Sequence, residues 1–234
     1  IKKVSGIING TTNYILSHMT KNGSAFLEVL KEAQELGYAE ADPTADVEGI
    51  DAADKISILS GLAFGGAIER SNIPTQGINH LKARDIDYAA RLGYSIKLLA
   101  IAENLDKSNT SKDQALPLAA WVEPTLIPHK HPLAGVNEVN NAIFIEGEPI
   151  GEVMFYGPGA GAGPTASAVV ADILNIAGIK SLNESNKSLD PLLSYKTWRK
   201  CELVNSSEII QKNYVRLITE DTPGVIGRIG NIFG

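Results

Sequence analysis

Residues 37–55 read GYAEADPTADVEGIDAADK, and this acidic segment is the most informative part of the chain. It carries eight ionisable groups, only one of them basic: Tyr38, Glu40, Asp42, Asp46, Glu48, Asp51, Asp54 and Lys55. The Asp42-Pro43 pair predicts a turn, because a residue before proline is disfavoured in the helical region. The residues that follow, IDAADKISILSGLAF, predict a helix that ends at Gly65-Gly66.

The predicted helix places Asp51 and Lys55 four residues apart, on one face and in the favourable acid-to-base order. The same face continues to Ile58 and Leu62, so we expect the second half of the helix to be buried. A lysine on such a face is either an ion-paired structural residue or a proton-transfer group, since burial makes an ammonium easier to deprotonate. Spacing alone favours the structural role, whereas the carboxylates just upstream favour the chemical one.

Composition limits the classes of protein to which the chain can belong. Its 234 residues suit one large domain, or one and a half smaller ones. The net charge of −6 and the absence of a basic cluster argue against a nucleic-acid partner. Cys201 is the only cysteine, so no intrachain disulfide forms, which fits a cytoplasmic protein. No run of about 18 uncharged apolar residues occurs, so we expect no membrane span.

The two ends of the chain indicate an internal piece of a longer protein. Ile1 is not preceded by Met and leads directly into a compact motif, with no signal peptide in view. The last residues, NIFG, fall in the middle of an expected amphipathic helix.

The pattern of the remaining segments predicts an α+β fold. Strands are expected at 94–104 and 117–128, and a hairpin at 140–159. Short polar tips join them, so we expect a mixed or antiparallel sheet with helices packed on one face. Helices are expected after the polar loop at residues 9–13, over 25–36 with Ser24 as its cap, and over 85–93. No G-x-G-x-x-G lies between a strand and a helix, so no Rossmann domain is expected within this chain.

Two further segments have the composition of ligand-contacting loops. Thr11, Thr12 and Asn13 are residue types that cap helix starts, where free N–H groups attract anions. Glycines at 157, 159, 161 and 163 precede the predicted helix TASAVVADILNIAG, so the backbone there can approach a flat or anionic ligand closely. Each signal is weak by itself, because plain capping and ordinary turns give the same pattern.

Three motifs in order make the chain similar to a known family. They are GIINGTTNYIL at 6–16, LGYAEADPTADVEGIDAADK at 36–55 and GPGAGAGPTASAVVADIL at 157–174. Together they resemble the catalytic region of homoserine dehydrogenase, over about residues 1–200. The resemblance implies an oxidoreductase that interconverts L-homoserine and L-aspartate 4-semialdehyde by hydride transfer with NAD or NADP. It also implies a cytoplasmic homodimer or higher homo-oligomer in threonine, methionine and isoleucine biosynthesis.

The resemblance implies roles for individual residues. Lys55 matches the lysine that transfers the hydroxyl proton, and Asp51 is close enough on the helix to orient it. Glu40 matches the residue that binds the substrate ammonium. The other implied site residues are Asp46, Asn9, Gly10 and Thr11 near the substrate, and Gly157, Gly159 and Gly161 near the nicotinamide.

The family's nucleotide-binding Rossmann domain is expected upstream of Ile1. The contacts to the cofactor phosphate and adenosine would therefore lie on a domain absent from this chain, and the choice between NAD and NADP stays open. For the same reason we expect the chain by itself to be inactive.

The C-terminal residues YVRLITEDTPGVIGRIGNIFG, at 214–234, resemble the opening strand and helix of an ACT domain. The resemblance implies an amino-acid effector, with threonine the natural end-product inhibitor. We therefore expect a catalytic domain over residues 1–200, a connector at 201–212 and the start of a truncated ACT domain at 213–234.

Other candidate residues carry no predicted role. His129 and His131 flank Lys130 with no third ligand nearby, so no metal site is predicted, and the family's sodium-binding residues fall before Ile1. Two alternative functions remain: a non-catalytic dimerisation and regulatory-tether fragment, and a dehydrogenase acting on another amino alcohol. The presence of Glu40, Asp46, Asp51 and Lys55 disfavours the second.

Overall fold

The computed structural model describes residues 1–106, 115–182 and 201–234. Six strands form one mixed sheet in the order β5-β4-β1-β2-β3-β6, in which only the β3–β6 pair is parallel. The strands are β1 Lys3–Ile7, β2 Tyr94–Asn104, β3 Leu116–Pro128, β4 Asn140–Gly147, β5 Gly151–Pro158 and β6 Cys201–Leu203. The predicted α+β class, the two long strands and the hairpin are confirmed.

Seven α-helices accompany the sheet in the part of the chain described. They are α1 Gly10–Asn22, α2 Phe26–Glu35, α3 Thr44–Val47, α4 Ile50–Phe64, α5 Ala83–Arg91, α6 Ala162–Leu182 and α7 Val225–Phe233. Helix α4 has the predicted limits and ends where Gly65 adopts a left-handed conformation with φ of 74°. Ser24 is not the cap of α2, because Ala25 holds that position and Glu28 accepts a hydrogen bond from its backbone N–H.

The sheet separates two hydrophobic cores. Alternate residues of β2, among them Leu98 and Ala100, enter the larger core together with residues of α1, α2, α4 and α5. Leu99 and Ile101 point to the other face, where a short 3₁₀ turn at Pro132–Gly135 covers a smaller core. These four helices therefore pack on one face of the sheet, as predicted, and the acidic segment joins α2 to α4 on that face.

Part of α4 is more exposed than the sequence predicts. Ile56 is fully buried, but Ile58 and Leu62 are 63% and 57% exposed. The expectation that the whole second half is buried was wrong for this face. Helix α4 packs on β1, β2 and β3, and Ile58 and Leu62 remain at the surface of this chain.

The C-terminal region differs in detail from the prediction. Residues 214–221 form no strand, because a single extended segment gains no ladder hydrogen bonds without a partner strand. The helix predicted after the turn is present as α7. The 201–212 connector includes strand β6, which pairs with β3, and a 3₁₀ turn at Ser206–Glu208. Residues 183–200, which the sequence analysis assigned to the end of the catalytic domain, lie outside the described residues, as do residues 107–114 of the polar tip between β2 and β3.

Helix α6 and strand β5 expose an unusual number of large apolar side chains. In β5 these include Phe155 and Tyr156, and in α6 Ile173, Leu174 and Ile176, each more than half exposed. Residues 162–180 of α6 are long and apolar enough to cross a membrane by length and composition, although such a helix is weak evidence for a span. The sequence-based expectation of no membrane span did not identify this helix, because Asp172 and Lys180 interrupt its apolar run.

Candidate active site

A lysine, two carboxylates and an amide meet where β1 passes into α1. The Lys55 ammonium donates to Asp51 Oδ2 at 2.7 Å and to the Ile8 carbonyl at 3.1 Å. The Asn9 amide donates to Asp46 Oδ1 at 2.6 Å and to the same Asp51 oxygen at 2.9 Å. Four residues that the sequence predicted as separate parts of a site are thus joined by direct contacts.

Asn9 can hold both carboxylates because its own orientation is fixed. It is the N-cap of α1, and its side-chain oxygen accepts from the backbone N–H and the hydroxyl of Thr12, each at 2.9 Å. Its Nδ2 atom is therefore directed away from the helix, toward Asp46 and Asp51. The sequence predicted Thr11, Thr12 or Asn13 as the cap, but the helix begins one residue earlier than Thr11.

The two carboxylates are positioned by the short turn between α3 and α4. Gly77 passes directly beneath this turn: a Cβ atom on Gly77 would lie 2.1 Å from the Val47 carbonyl oxygen, so only glycine fits. The Ile78 N–H donates to that same carbonyl at 2.8 Å. This close backbone contact fixes the turn that carries Asp46 at one end and Asp51 at the other.

Asp42 belongs to the turn that begins the acidic segment rather than to the cluster. It accepts from the Thr44 hydroxyl at 2.6 Å and from the Thr44 N–H at 3.1 Å. These hydrogen bonds hold the pKa of the Asp42 carboxyl below its usual value. The predicted turn at Asp42-Pro43 is confirmed, and α3 starts immediately after it.

Glu40, predicted to bind the substrate ammonium, is exposed. Its segment is tied to the site through backbone atoms, since Thr11 donates from its hydroxyl to the Tyr38 carbonyl at 2.8 Å and Gln34 donates to the Glu40 carbonyl at 3.0 Å. The Glu40 carboxylate is therefore available to a ligand. Gly10, next to Asn9, packs closely against residue Val139.

The glycine loop predicted to contact a cofactor follows β5. Gly157 pairs with Asn141 across the β4–β5 ladder, and Gly159 packs against the Asn141 side chain. Gly161 ends the loop with φ of 117°, just before α6. The loop is adjacent to the start of β4, where Asn13 of α1 donates to the Asn140 carbonyl at 3.0 Å. Through Asn140 and Asn141 the loop is connected to the first turn of α1.

One polar group of this region was missed by the sequence analysis. Lys97 in β2 is only 3% exposed, and its ammonium donates to Asn13 Oδ1, to Asn137 Oδ1 and to the Val136 carbonyl. Burial lowers the pKa of Lys97 to about 8, while the charge of Glu138 acts in the opposite direction. A lone lysine inside the apolar run YSIKLLAIAEN is the signal that could have identified it.

The arrangement, an accessible lysine oriented by a carboxylate in the first turn of a helix, is of a kind that occurs in enzyme active sites. Comparison with known proteins identifies the family. The homoserine dehydrogenase family model matches residues 1–174, and the chain belongs to this family.

Individual relatives agree with this assignment. A homoserine dehydrogenase of Synechocystis sp. is 53% identical over 235 residues, which cover 100% of this chain and 53% of the relative. The crystal structure of a homoserine dehydrogenase from Thiobacillus denitrificans has a TM-score of 0.84 at 37% identity, covering 99% of this chain and 52% of that one. The chain thus spans about half the length of the relatives it matches.

A more distant family member has been solved with a bound cofactor. A hyperthermophilic archaeal homoserine dehydrogenase mutant, solved in complex with NADPH, has a TM-score of 0.59 at 29% identity. The similarity covers 74% of this chain and 46% of that one.

Proposed function

We propose that this chain is the substrate-binding and catalytic portion of an enzyme that interconverts L-homoserine and L-aspartate 4-semialdehyde with NAD(P). The observation that carries the proposal is the position of Lys55. Its side chain is 47% exposed, yet its ammonium is fixed by Asp51 and by the Ile8 carbonyl. A fixed but accessible amine is suited to exchange a proton with a bound substrate.

The chemistry assigns one task to each group. Oxidation of the alcohol removes a hydride from carbon and a proton from oxygen, and Lys55 in its neutral form accepts that proton. Asp51 orients Lys55 through the 2.7 Å hydrogen bond. Glu40 and Asp46 bind the substrate ammonium, because carboxylates favour a cationic ligand and disfavour simple alcohols. Asn9 bridges Asp46 and Asp51 through its side-chain amide, and Gly10 and Thr11 complete the proposed substrate site.

The residues present fit the nicotinamide end of a dinucleotide. A Cβ atom at Gly157 would meet nothing within 4 Å, and residues 158–161 are exposed, so a flat ring can approach the backbone of this loop. NAD(P) would supply the hydride acceptor there. NADPH in the archaeal family member supports this part of the proposal. Phosphate and adenosine contacts belong to a Rossmann domain outside this chain.

We also propose a wider biological role, which family membership supports. We assign residues 1–200 to the catalytic domain, 201–212 to a connector and 213–234 to the start of an ACT domain that binds an amino-acid effector such as threonine. The enzyme would act in the cytoplasm as a homo-oligomer in threonine, methionine and isoleucine biosynthesis. A purely non-catalytic tether is less well supported, because Lys55, Asp51 and Asn9 already form an ordered polar cluster.

The test uses the whole protein that carries this chain. Wild type should reduce NAD⁺ or NADP⁺ in the presence of L-homoserine, and Lys55→Ala should lower kcat by about 10²- to 10⁴-fold with a smaller change in KM. Lys31→Ala is the matched control, because Lys31 also forms an i,i+4 ion pair but is 78% exposed on α2.

The possible results separate the parts of the proposal. Normal turnover in Lys55→Ala would support the proposed reaction but show that Lys55 does not transfer the proton. If wild type showed no turnover, the proposed reaction would be wrong. A loss in Lys31→Ala equal to that in Lys55→Ala would show that charge removal alone explains the effect.

A further inference from the structure

Lys97 is a buried ammonium whose three direct acceptors are all uncharged oxygens. They are Asn13 Oδ1 at 3.1 Å, Asn137 Oδ1 at 3.0 Å and the carbonyl of Val136. Removing a cation from water in this way is costly, because uncharged acceptors recover only part of its hydration. An apolar side chain would fill the same space without that cost. The cost of burying the ammonium therefore suggests that its hydrogen bonds have a purpose.

The sheet register explains why donors are needed at this position. The β1–β2 pairing ends at Gly6 and Ala100, and Lys97 lies on β2 three residues past this last pair. By then the chain has left β1, which ends at Ile7, and has turned into α1. The Lys97 side chain reaches across the gap that the departing strand leaves.

The two elements that Lys97 joins also contact each other. Asn13 donates to the carbonyls of Glu138 and Asn140, each at 3.0 Å. A Cβ atom on Gly10 would lie 3.0 Å from the Val139 carbonyl oxygen, so the first turn of α1 packs tightly on segment 136–140. Lys97 binds both partners at once and is their common anchor.

The first turn of α1 is also the turn that carries Asn9. The Asn13 N–H donates to the Asn9 carbonyl at 3.3 Å, which makes these two residues the ends of one helical turn. A shift of Asn13 would therefore move Asn9, and with it the 2.6 Å and 2.9 Å hydrogen bonds to Asp46 and Asp51.

We propose that Lys97 is a positioning residue for the reaction: it fixes the first turn of α1 so that Asn9 holds Asp46 and Asp51 in register with Lys55. The inference rests on the proposed function. Lys97 does not touch the substrate. It acts through Asn13 and segment 136–140.

A double-mutant cycle tests this coupling in the whole protein. The kcat/KM for L-homoserine is measured for wild type, Lys97→Met, Asn9→Ala and the double variant. We expect Lys97→Met to lose about 10- to 100-fold, since misplacement by about 1 Å has effects of that size. If Lys97 acts through Asn9, the double variant should be within about twofold of the weaker single variant. Losses that multiply would overturn the proposal.

Two controls separate positioning from loss of stability. Lys3→Met removes a lysine from the other end of the same strand pair, where Lys3 faces Glu103 at 3.7 Å, and should leave kcat/KM within about twofold. Leu118→Ala truncates a fully buried side chain of β3 and should lower the melting temperature while kcat/KM stays near wild type. A loss of kcat/KM in Leu118→Ala as large as in Lys97→Met would mean that destabilisation alone explains the effect.

A structural readout keeps the inference distinct from the proposed reaction. If wild type shows no turnover with L-homoserine, the proposed function fails, and crystal structures of wild type and Lys97→Met decide the positioning role. Displacement of the Asn9 amide by about 1 Å in the variant would support it. An Asn9 that keeps both hydrogen bonds to Asp46 and Asp51 would overturn it.

Discussion

Lys55 and Lys97 bracket the same six residues, 8–13, yet their surroundings are opposite. Lys55 is 47% exposed on its side chain and contacts the carboxylate of Asp51. The whole Lys97 residue is 3% exposed, and its ammonium donates to amide and carbonyl oxygens. Lys55 binds the carbonyl of Ile8 before the helix, whereas Lys97 binds the side chain of Asn13 within it.

Under the two proposals above, one residue type serves two purposes within one site. A proton-transfer group must be reached by substrate, which the exposure of Lys55 permits. A structural anchor gains from burial, because its hydrogen bonds are then strengthened by the low local dielectric. The same burial makes the loss of any partner expensive.

The largest contrast should come from removing one partner of each lysine. Asn13→Ala deprives Lys97 of an acceptor and leaves two carbonyls without their donor, so we expect the free energy of unfolding to fall by about 3–5 kcal/mol. Asp51→Asn should cost under about 1 kcal/mol, since Lys55 remains partly hydrated. Urea unfolding of the two variants measures both values. Equal losses of unfolding free energy in Asn13→Ala and Asp51→Asn would show that the surroundings of the two lysines do not differ in this way.

A pH titration sharpens the comparison next. The pKa of Lys97 is about 8 in the folded protein and has an ordinary value of 10.5, so below pH 8 the ammonium is present in both states and its burial cost is complete. Between pH 8 and 10.5 the unfolded chain binds more protons, so stability rises with pH by up to about 3 kcal/mol. Between pH 7.5 and pH 10, urea unfolding should show wild type gaining about 2 kcal/mol relative to Lys97→Met. A constant difference between the two proteins would show that Lys97 is not held as a buried ammonium.

The smallest expected effect concerns the carboxylates near each lysine. Glu40→Gln removes a charge from the accessible side of the site and should raise KM for L-homoserine about tenfold, with kcat less affected. Glu138→Gln is the matched control, because Glu138 is the charged neighbour of Lys97 and bonds to His18 rather than to the pocket. Steady-state kinetics of the whole protein give both constants. If Glu138→Gln raised KM more than Glu40→Gln, the substrate ammonium would be assigned to Glu138 and not to Glu40.

The sequence predicted those parts of the molecule that depend on local pattern. Helix α4, strand β2 and the β4–β5 hairpin follow from apolar periodicity and from glycine at the helix end, and they were predicted at nearly their observed limits. The Asp51–Lys55 pair follows from helical spacing alone and is confirmed at 2.7 Å. The resemblance brought Asn9 into the predicted site, and the structure shows its contacts.

Other features depend on contacts between distant segments, which local pattern does not contain. Lys97 meets Asn13 and Asn137 only because β2 extends past the end of β1. The exposure of Ile58 could not be predicted either, since periodicity identifies an apolar face and not what covers it. Strand β6 is three residues long, too short for an alternating pattern to be recognised.

The passage of Gly77 beneath the α3–α4 turn also has an evolutionary consequence. Any mutation that adds a side chain at this position would displace the Val47 carbonyl and the acidic turn with it. The two segments can therefore diverge only together, and a substitution at position 77 would need a compensating rearrangement of the turn. A saturation library at this codon should retain glycine alone under selection for growth without supplied threonine and methionine, if the proposed reaction is the one the cell requires.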